Sequence, residues 1–271
     1  MVGGSVKIFW IGIRVLLACL SLLFGGMFYS AHRTSLKTHR MKAKSPSTAN
    51  AELTVFFISD VHRRRVPEKL LNKVRSHFGS VDLVIIGGDV AEKGVPLERV
   101  KNNVEKLATL GPVYYIWGNN DREIGESNVR EIIADVGGTI LDNGSVRIPM
   151  HPDWIISGAD DPSSGNTNLQ KAVSFEEDYT YQLVAVHNPS LFNKIMKISK
   201  PVLLVGGHTH GGQIRFGPFG MQPKGEFKDD DDECAQLISN GFGTTLVPLR
   251  FGAPPETHLI TVRYKKRSGT I

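Results

Sequence analysis

Residues 53–62 read LTVFFISDVH, an apolar run that ends abruptly in Ser-Asp-Val-His. A short run of this kind, rich in β-branched and aromatic residues, predicts a buried strand. The same arrangement follows twice more, as VDLVIIGGDV at residues 81–90 and PVYYIWGNND at residues 112–121. Each predicted strand is therefore followed at its carboxyl end by Asp, Asn or His.

Two amphipathic segments separate these strands. VPEKLLNKVRSHF at residues 66–78 and VPLERVKNNVEKLATL at residues 95–110 carry apolar residues at helical spacing. A proline stands in the first turn of each segment, where its missing N–H costs nothing, and a glycine follows the last periodic residue. These residues are Pro67, Gly79, Pro96 and Gly111. The order of elements is β-α-β-α-β.

The second half of the chain is richer in predicted strands. They are VRIPM (146–150), DWIISG (153–158), YQLVAVH (181–187), PVLLVGG (201–207), TTLVPLR (244–250) and THLITVRY (257–264). One helix is predicted at 189–198. Because there are enough strands for two sheets, we predict an α/β fold in which two sheets pack on each other with helices outside.

The amino-terminal segment has a different composition. Residues 8–29, IFWIGIRVLLACLSLLFGGMFY, contain one charge, Arg14, and are long enough to span a bilayer. A cleaved signal peptide is disfavoured because small residues are not paired at the required spacing before a cut, and a helix packed on the domain is a further alternative. The basic residues that follow the segment favour a cytoplasmic catalytic domain in a single-pass cell-membrane protein.

Length and composition support one globular domain behind this anchor. The chain has 271 residues, of which 41% are hydrophobic. We expect an anchor at 1–30, a flexible basic linker at 31–50 and the globular domain at 51–271. Cys19 and Cys234 are not expected to form a disulfide. The acidic run at 229–233 is typical of a solvated loop, with cation binding as the alternative.

Polar clusters recur at the ends of the predicted strands, and the carboxyl ends of strands in α/β sheets converge on one crevice. The side chains so collected are Asp60, His62, Asp89, Asn119, His187, His208 and His210. Carboxylate, amide and imidazole ligands without thiolates suit Mn, Fe or Zn. Seven ligands exceed the need of one ion but fit two ions about 3.5–4 Å apart if Asp89 bridges them.

The order of these motifs, Asp-x-His, Gly-Asp, Gly-Asn-x-Asp, His and Gly-His-x-His, resembles the calcineurin-like metallophosphoesterase superfamily from Leu53 to the carboxyl terminus. Residues 206–220 (GGHTHGGQIRFGPFG) and 240–262 (NGFGTTLVPLRFGAPPETHLITV) resemble its bacterial membrane-associated branch, which includes UDP-diacylglucosamine pyrophosphatases and other cell-envelope phosphoesterases. The resemblance implies a four-layer sandwich with two central mixed sheets.

The resemblance also implies how the ligands divide. One metal would be held by Asp60, His62, Asp89 and His210, and the other by Asp89, Asn119, His187 and His208. The reaction it implies is hydrolysis, in which a metal-bound hydroxide attacks phosphorus in line.

One position departs from the family pattern. Where the family usually has Gly-Asn-His-Asp, this chain has GNND, which places Asn120 at the position of the His. Asn donates a hydrogen bond but does not deliver a proton at neutral pH, so a pyrophosphate or aryl ester is favoured over an alkyl monoester. Asn120 and Asp121 are the candidate catalytic residues, with Asp121 expected to orient neighbouring ligands. The candidates to contact the phosphate or leaving group are His62, Asn120 and Gln213.

Basic residues near the motifs have two interpretations. The run 63–65, Arg-Arg-Arg, could receive an anionic substrate or lipid headgroup, or form a solvated loop. Arg122 could contact phosphate oxygens, but it is expected to face solvent.

We therefore predict a two-metal hydrolase of phosphoester or pyrophosphate bonds in a small-molecule or lipid substrate at the membrane. The alternative is a phosphate- or nucleotide-binding regulatory protein whose catalysis is weakened by Asn120. A nuclease is disfavoured and no nucleic acid is expected, because the basic residues crowd near the anchor and no stacking groove is indicated. The sequence leaves the oligomeric state open.

Overall fold

The computed structural model describes residues 2–47, 52–229 and 234–266, so the acidic run at 229–233 lies almost wholly outside the described residues. The α-helices are α1 (Val2–His32), α2 (Glu68–Phe78), α3 (Leu97–Ala108), α4 (Glu126–Asp135), α5 (Leu169–Val173) and α6 (Phe192–Ile195). Short 3-10 turns lie at Asp121–Ile124, Pro162–Ser164, Pro189–Leu191 and His210–Gly212.

The strands form two large sheets and a small hairpin. They are β1 (Leu36–Ser47), β2 (Glu52–Ile58), β3 (Leu83–Ile86), β4 (Val113–Tyr115), β5 (Thr139–Ile140), β6 (Gly144–Ile148), β7 (His151–Ala159), β8 (Tyr181–Val186), β9 (Leu203–Gly206), β10 (Arg215–Phe216), β11 (Phe219–Gly220), β12 (Glu226–Lys228), β13 (Ala235–Ile238) and β14 (Thr257–Lys266).

Both large sheets are mixed. The first has the order β1-β14-β2-β3-β4-β5, and all its pairs are parallel except β14 with β2. The second has the order β12-β13-β9-β8-β7-β6, and its parallel centre is flanked by an antiparallel pair at each edge. Strands β10 and β11 pair only with each other.

Three buried clusters define four layers. Helices α2, α3 and α4 pack on one face of the first sheet, with Leu71 and Val104 against Phe56 and Ile86. The other face of that sheet packs against the second sheet. The outer face of the second sheet is covered by α5 and α6. The predicted four-layer α/β sandwich is confirmed.

The first three predicted strands, which are β2, β3 and β4, and the two helices between them lie where the sequence predicts. The second half differs more. Helix α4 was not predicted, and the helix predicted at 189–198 is a 3-10 turn followed by a single α-helical turn. The prediction of a strand at 244–250 is wrong. There the side-chain amide of Gln213 donates to Thr245 O and Val247 O and accepts from Thr245 N, so these main-chain groups bond to a side chain and not to a strand.

The segment predicted as a flexible linker is also different. Its central part is β1, an edge strand parallel to β14. Met41 and Ala43 are buried and alternate with exposed, charged positions, so the strand has one inward face and a charged outer face of the kind that protects a sheet edge.

Most of helix α1 is not packed against the domain. Residues Lys7–His32 are long and apolar enough to cross a membrane, a property that signal sequences share, and none of the tested window is buried against the domain. Only its last turns touch the domain, where Met27 and Ala31 are buried. Arg64 donates to His32 O and Arg33 O at 3.2 Å each, a favourable place for a cation because the carboxyl end of a helix is negative.

A histidine pair joins β1 to β14. His39 Nε2 lies 3.0 Å from His258 Nδ1, and His258 Nε2 lies 3.0 Å from Ser239 Oγ. Burial, assisted by Lys37, lowers the pKa of His39 to about 4, and burial lowers the pKa of His258 well below its usual value. Both rings are therefore neutral in the folded protein at neutral pH.

This pair predicts a loss of stability in acid. Unfolded imidazoles take up protons near pH 6.5, whereas the folded pair resists protonation, so stability should be full above about pH 6.5 and fall as the pH is lowered toward 4. Denaturant midpoints of the full chain in detergent, measured across this range, check the prediction. His258→Asn should flatten the dependence, and His77→Asn, at an exposed position, should not. Equal pH dependence in wild type and His258→Asn would contradict it.

Candidate metal centre

The predicted ligands all follow the carboxyl ends of strands. Asp60 and His62 follow β2, Asp89 follows β3, Asn119 follows β4, His187 follows β8, and His208 and His210 follow β9. The first three strands belong to one sheet and the last two to the other. The two sheets therefore bring all seven side chains to one edge of the sandwich.

One group of ligand atoms surrounds a point near β2. His62 Nε2 lies 3.1 Å from His210 Nε2 and 3.7 Å from Asp89 Oδ2, and His210 Nε2 lies 3.4 Å from Asp60 Oδ1. Asp60, His62 and His210 are buried and offer ligand atoms that all lie within 4.8 Å of one another. This group could hold one ion.

A second group lies beside the first. His187 Nε2 is 3.2 Å from Asn119 Oδ1, 3.2 Å from His208 Nδ1 and 3.5 Å from Asp89 Oδ2, and His208 Nδ1 is 2.9 Å from Asn119 Oδ1. Asp89 Oδ2 thus faces both groups. Asp60 also lies close to Asp89 and His187, so the two carboxylates occupy the middle of the cluster.

Two of the predicted ligand histidines have an oxygen atom close to Nδ1, on the side of the ring away from the site. His62 Nδ1 lies 3.0 Å from Glu92 Oε2, and His187 Nδ1 lies 2.8 Å from Gly87 O. A neutral imidazole that donates its Nδ1 proton to such an acceptor presents the Nε2 lone pair on the other side, as metal-binding histidines do. His187 is held in this way by a hydrogen bond and His62 by its close charged contact with Glu92, so the donor set fits divalent ions.

The buried carboxylates and histidines of the site shift one another's pKa values. Burial tends to raise the pKa of Asp60, but His210 and His187 outweigh it and lower that pKa. Burial lowers the pKa of His187, yet the charge of Asp89 overcomes it and raises the value to about 10. Burial lowers the pKa of His210 to about 4, so this imidazole is neutral. The positive charge of His187 therefore balances carboxylate charge in the cluster.

Asp121 is fully buried and does not face the open site. Its carboxylate accepts N–H bonds from Asp89 at 2.9 Å, Val90 at 2.8 Å and Gly118 at 2.7 Å. Burial and the nearby charge of Asp89 raise its pKa to about 6. Asp121 therefore positions the loops that carry Asp89 and Asn119, and the prediction that it orients its neighbours describes its contacts better than a catalytic role.

Asn120 and Gln213 differ in their access to the site. Asn120 Nδ2 donates to Asp89 Oδ2 at 2.7 Å, which places its amide at the predicted bridging carboxylate. The side-chain amide of Gln213, which is predicted to contact substrate, is hydrogen-bonded to the loop at 244–247. It holds that loop in place and has no free donor directed at a phosphate.

The basic residues are mostly engaged in the structure. Arg122, expected to face solvent, instead forms a two-pronged pair with buried Asp160 at 3.0 and 2.8 Å. Arg63 pairs with Glu92, and Arg64 bonds to the end of α1. Arg65 is exposed.

Backbone conformation at the site is unusual. Five of the predicted ligands have positive φ, namely Asp60 (54°), His62 (49°), Asp89 (52°), His208 (68°) and His210 (49°). Glycines permit the close approach of these loops. A Cβ on Gly118 would lie 2.3 Å from Asp89 N, and one on Gly88, where φ is 84°, would lie 2.6 Å from His187 Nδ1.

Sequence reasoning missed three residues that support the predicted ligands. Glu92 orients His62 from the loop after Asp89. Arg250, fully buried, lies 3.2 Å from both the main-chain oxygen and Nδ1 of His210. Asp161, whose charge acts on His208, follows β7 in the same way that the ligands follow their strands, and this shared placement was the available signal.

Comparison with known proteins agrees with this geometry. The model of the calcineurin-like phosphoesterase family matches residues 53–212, more than half of the chain. The chain belongs to the calcineurin-like phosphoesterase family. An uncharacterized protein of Bacillus subtilis (strain 168), YpbG, is 39% identical over 255 residues, covering 92% of this chain and 95% of its own length.

A more distant relative and a solved structure are also similar to this chain. Phosphodiesterase YaeI of Escherichia coli (strain K12) is 29% identical over 230 residues, covering 78% of this chain and 82% of its own length. The solved structure of TT1561 of Thermus thermophilus aligns with a TM-score of 0.45 at 10% identity, over 70% of this chain and 90% of that one. Calcineurin-like phosphoesterases normally use divalent metals, and this chain has the ligand groups for them.

The contact between His62 and Glu92 predicts an effect on metal affinity. Glu92→Gln keeps the size of the side chain but removes the charge behind His62, so Mn²⁺ affinity should fall by about 10–100-fold. Calorimetric titration of the metal-stripped full chain in detergent measures this. Glu98→Gln, at an exposed position in the first turn of α3, is the matched control and should bind as the wild type does. Unchanged affinity in Glu92→Gln would contradict the assigned role.

Proposed function

We propose that this protein is a two-metal phosphodiesterase or pyrophosphatase whose substrate is held at a membrane surface. The observation that carries the proposal is the pair of adjacent ligand groups that share Asp89. One ion would be held by Asp60, His62, Asp89 and His210, and the other by Asp89, Asn119, His187 and His208. Mn, Fe and Zn suit this donor set.

Two such ions, when bound, neutralise phosphoryl oxygens and activate water for in-line attack. The chain's own residues supply orientation. Glu92 and Gly87 O hold two imidazoles with Nε2 toward the site, and Asp121 holds the loops of Asp89 and Asn119 together. Asn120 donates its amide hydrogens and cannot transfer a proton at neutral pH. The substrate therefore needs a leaving group that departs without a protein acid, as a pyrophosphate or aryl ester does.

The proposed placement is a single-pass membrane protein with residues 1–30 as anchor and the catalytic domain on the cytoplasmic side. The length and apolar composition of α1 support the anchor. Strand β1 belongs to the catalytic domain, because it extends the first sheet. A phosphorylated small molecule or lipid at the membrane surface is within reach of a domain tethered in this way.

A binding protein with weakened catalysis is the second candidate. It is favoured by Asn120, because the amide is bonded to Asp89 Oδ2 and is not held as a free donor. In that case the metals and phosphate would bind without repeated turnover.

The test is a comparison of leaving groups in the metal-stripped full chain supplied with Mn²⁺. Bis-p-nitrophenyl phosphate should be hydrolysed by the wild type, and Asp89→Asn should abolish turnover because it removes the shared ligand charge. Asn120→His should change this rate little, but should raise hydrolysis of an alkyl ester by on the order of 10²-fold or more, because only a poor leaving group needs the acid.

Asp135→Asn, at an exposed position on α4, is the control and should behave as wild type. If the wild type shows no metal-dependent turnover and activity arises only in Asn120→His, the hydrolase proposal is overturned in favour of the binding protein.

A further inference from the structure

Exposed apolar side chains gather on two loops beside the metal centre. The most exposed are Leu246 (97%), Met221 (93%), Phe219 (79%) and Phe216 (67%), and Val247 and Phe251 are also exposed. Scattered apolar residues on a surface are ordinary, but a contiguous group next to a site is typical of an interaction surface. We call these six residues the apolar patch.

The two loops form one rigid surface. Arg215 N donates to Phe251 O at 2.8 Å and Phe251 N donates to Gln213 O at 3.0 Å. The Phe216 and Phe251 rings are 5.1 Å apart. The side-chain amide of Gln213 holds the segment that carries Leu246, through hydrogen bonds to the main chain of Thr245 and Val247. The exposure of the patch is therefore a built feature of the fold.

The side chain of Leu246 has no evident structural use. Its φ is 61°, a left-handed conformation that suits Gly or Asn and costs a leucine free energy. A strained and almost fully exposed leucine contributes nothing to the core. Its apolar surface becomes useful only if another apolar medium covers it.

The position of helix α1 indicates that this apolar medium is a lipid bilayer. Arg250 N, four residues after Leu246, donates to Met27 O at 3.1 Å. Met27 lies within the apolar segment, about 7 Å along the helix from its end at His32 at the usual rise per residue. With α1 in a bilayer, the loop beside Met27 lies at the depth of the boundary between headgroups and acyl chains, where interfacial elements bury their apolar side chains.

A basic cleft of about 730 Å³ opens beside the patch, between the end of α1 and the loop that follows His62. Four arginines line it together with one carboxylate, Glu92. Arg63 and Arg64 are already paired, whereas Arg65 is exposed and forms no side-chain hydrogen bond or ion pair within the described ranges. Leu246 and Val247 form the opposite wall. Positive charge beside an apolar rim complements an anionic lipid.

We propose that the apolar patch lies in the interfacial layer of the bilayer that holds α1, and that the basic cleft binds the phosphate of an anionic phospholipid. The inference rests on the proposed function, because it needs α1 in a membrane, and it deepens that function by directing the metal centre toward the lipid surface. Glu92, which lines the cleft and contacts His62, lies between the two sites.

The first measurement is depth in the membrane. The full chain carrying Cys19→Ser and Cys234→Ser receives a nitroxide at Leu246→Cys, Phe219→Cys or Met150→Cys, and is placed in vesicles of phosphatidylcholine and phosphatidylglycerol. Met150 is the matched control because it is exposed and apolar, and its neighbour His151 pairs with Asp82 before β3, at the sheet edge opposite the metal centre. Labels at 246 and 219 should collide with oxygen more than with a water-soluble nickel chelate, and the label at 150 should show the reverse. A label at 246 as accessible to nickel as the one at 150 overturns the placement.

The second measurement is headgroup binding by the metal-free full chain in detergent. Short-chain phosphatidylglycerol should bind more tightly than short-chain phosphatidylcholine or inorganic phosphate. Arg65→Gln should weaken that binding about fivefold, which corresponds to roughly 1 kcal/mol for one basic side chain near an anionic surface. Lys197→Gln, at an exposed position distant in the chain, should not. Equal affinity for inorganic phosphate, or no effect of Arg65→Gln, overturns the lipid site.

Neither measurement depends on hydrolysis, since the first reports the depth of a label and the second reports binding. A chain that hydrolyses aryl diesters but keeps residue 246 in water would overturn this inference alone. A chain that inserts the patch but lacks turnover would support it while the hydrolase proposal fails.

Discussion

The arrangement of the metal centre depends on one buried carboxylate, that of Asp121. It joins the loop after β3 to the loop after β4 by accepting main-chain N–H groups from both. These loops carry Asp89 and Asn119, which must meet His187 and His208 from the other sheet. A buried polar group is costly unless its hydrogen bonds are made, so once Asp121 is buried the loops have one favourable arrangement. The positions of the ligands thus follow from a residue that does not face the site.

That arrangement stores strain. Five predicted ligands have left-handed backbone conformations, each of which costs on the order of 1–3 kcal/mol. The total is comparable with the net stability of a whole domain, about 5–15 kcal/mol. Main-chain bonds between loops oppose the strain, including Asp60 N to Gly88 O at 2.9 Å and His62 N to Asp89 O at 3.1 Å. Two sheets buried on both faces supply the remaining support for the five strained residues, which all follow the carboxyl ends of their strands.

The sequence predicts best where one periodicity dominates. Strands β2, β3 and β4 are buried on both faces, so their apolar runs are continuous and the polar residues that end them are conspicuous. Strand β1 was not predicted because its inward residues, Lys, His, Met and Ala, alternate with exposed residues that include charges and do not form an apolar run. The inward face can be recognised only once β1 is paired with β14. The run at 244–250 was misassigned because its apolar side chains at 246 and 247 are exposed, while main-chain oxygens of Thr245 and Val247 accept hydrogen bonds from the side chain of Gln213. Glu92 and Arg250 could not be found from local sequence, since their roles depend on side chains that the fold brings near them.

The segment after β13 connects helix α1 with the candidate metal centre. Arg250 contacts His210 through its guanidinium and Met27 O through its main-chain N–H. Arg64, two residues from predicted ligand His62, bonds both to the end of α1 and to Phe242 O. Met27 and Ala31 are buried against the same surface. A movement of α1 relative to the domain would therefore have to break bonds made by residues that also contact His210 or adjoin His62. Helix α1 is part of the framework that fixes these two imidazoles, so the position of the candidate metal centre relative to this helix follows from direct contacts.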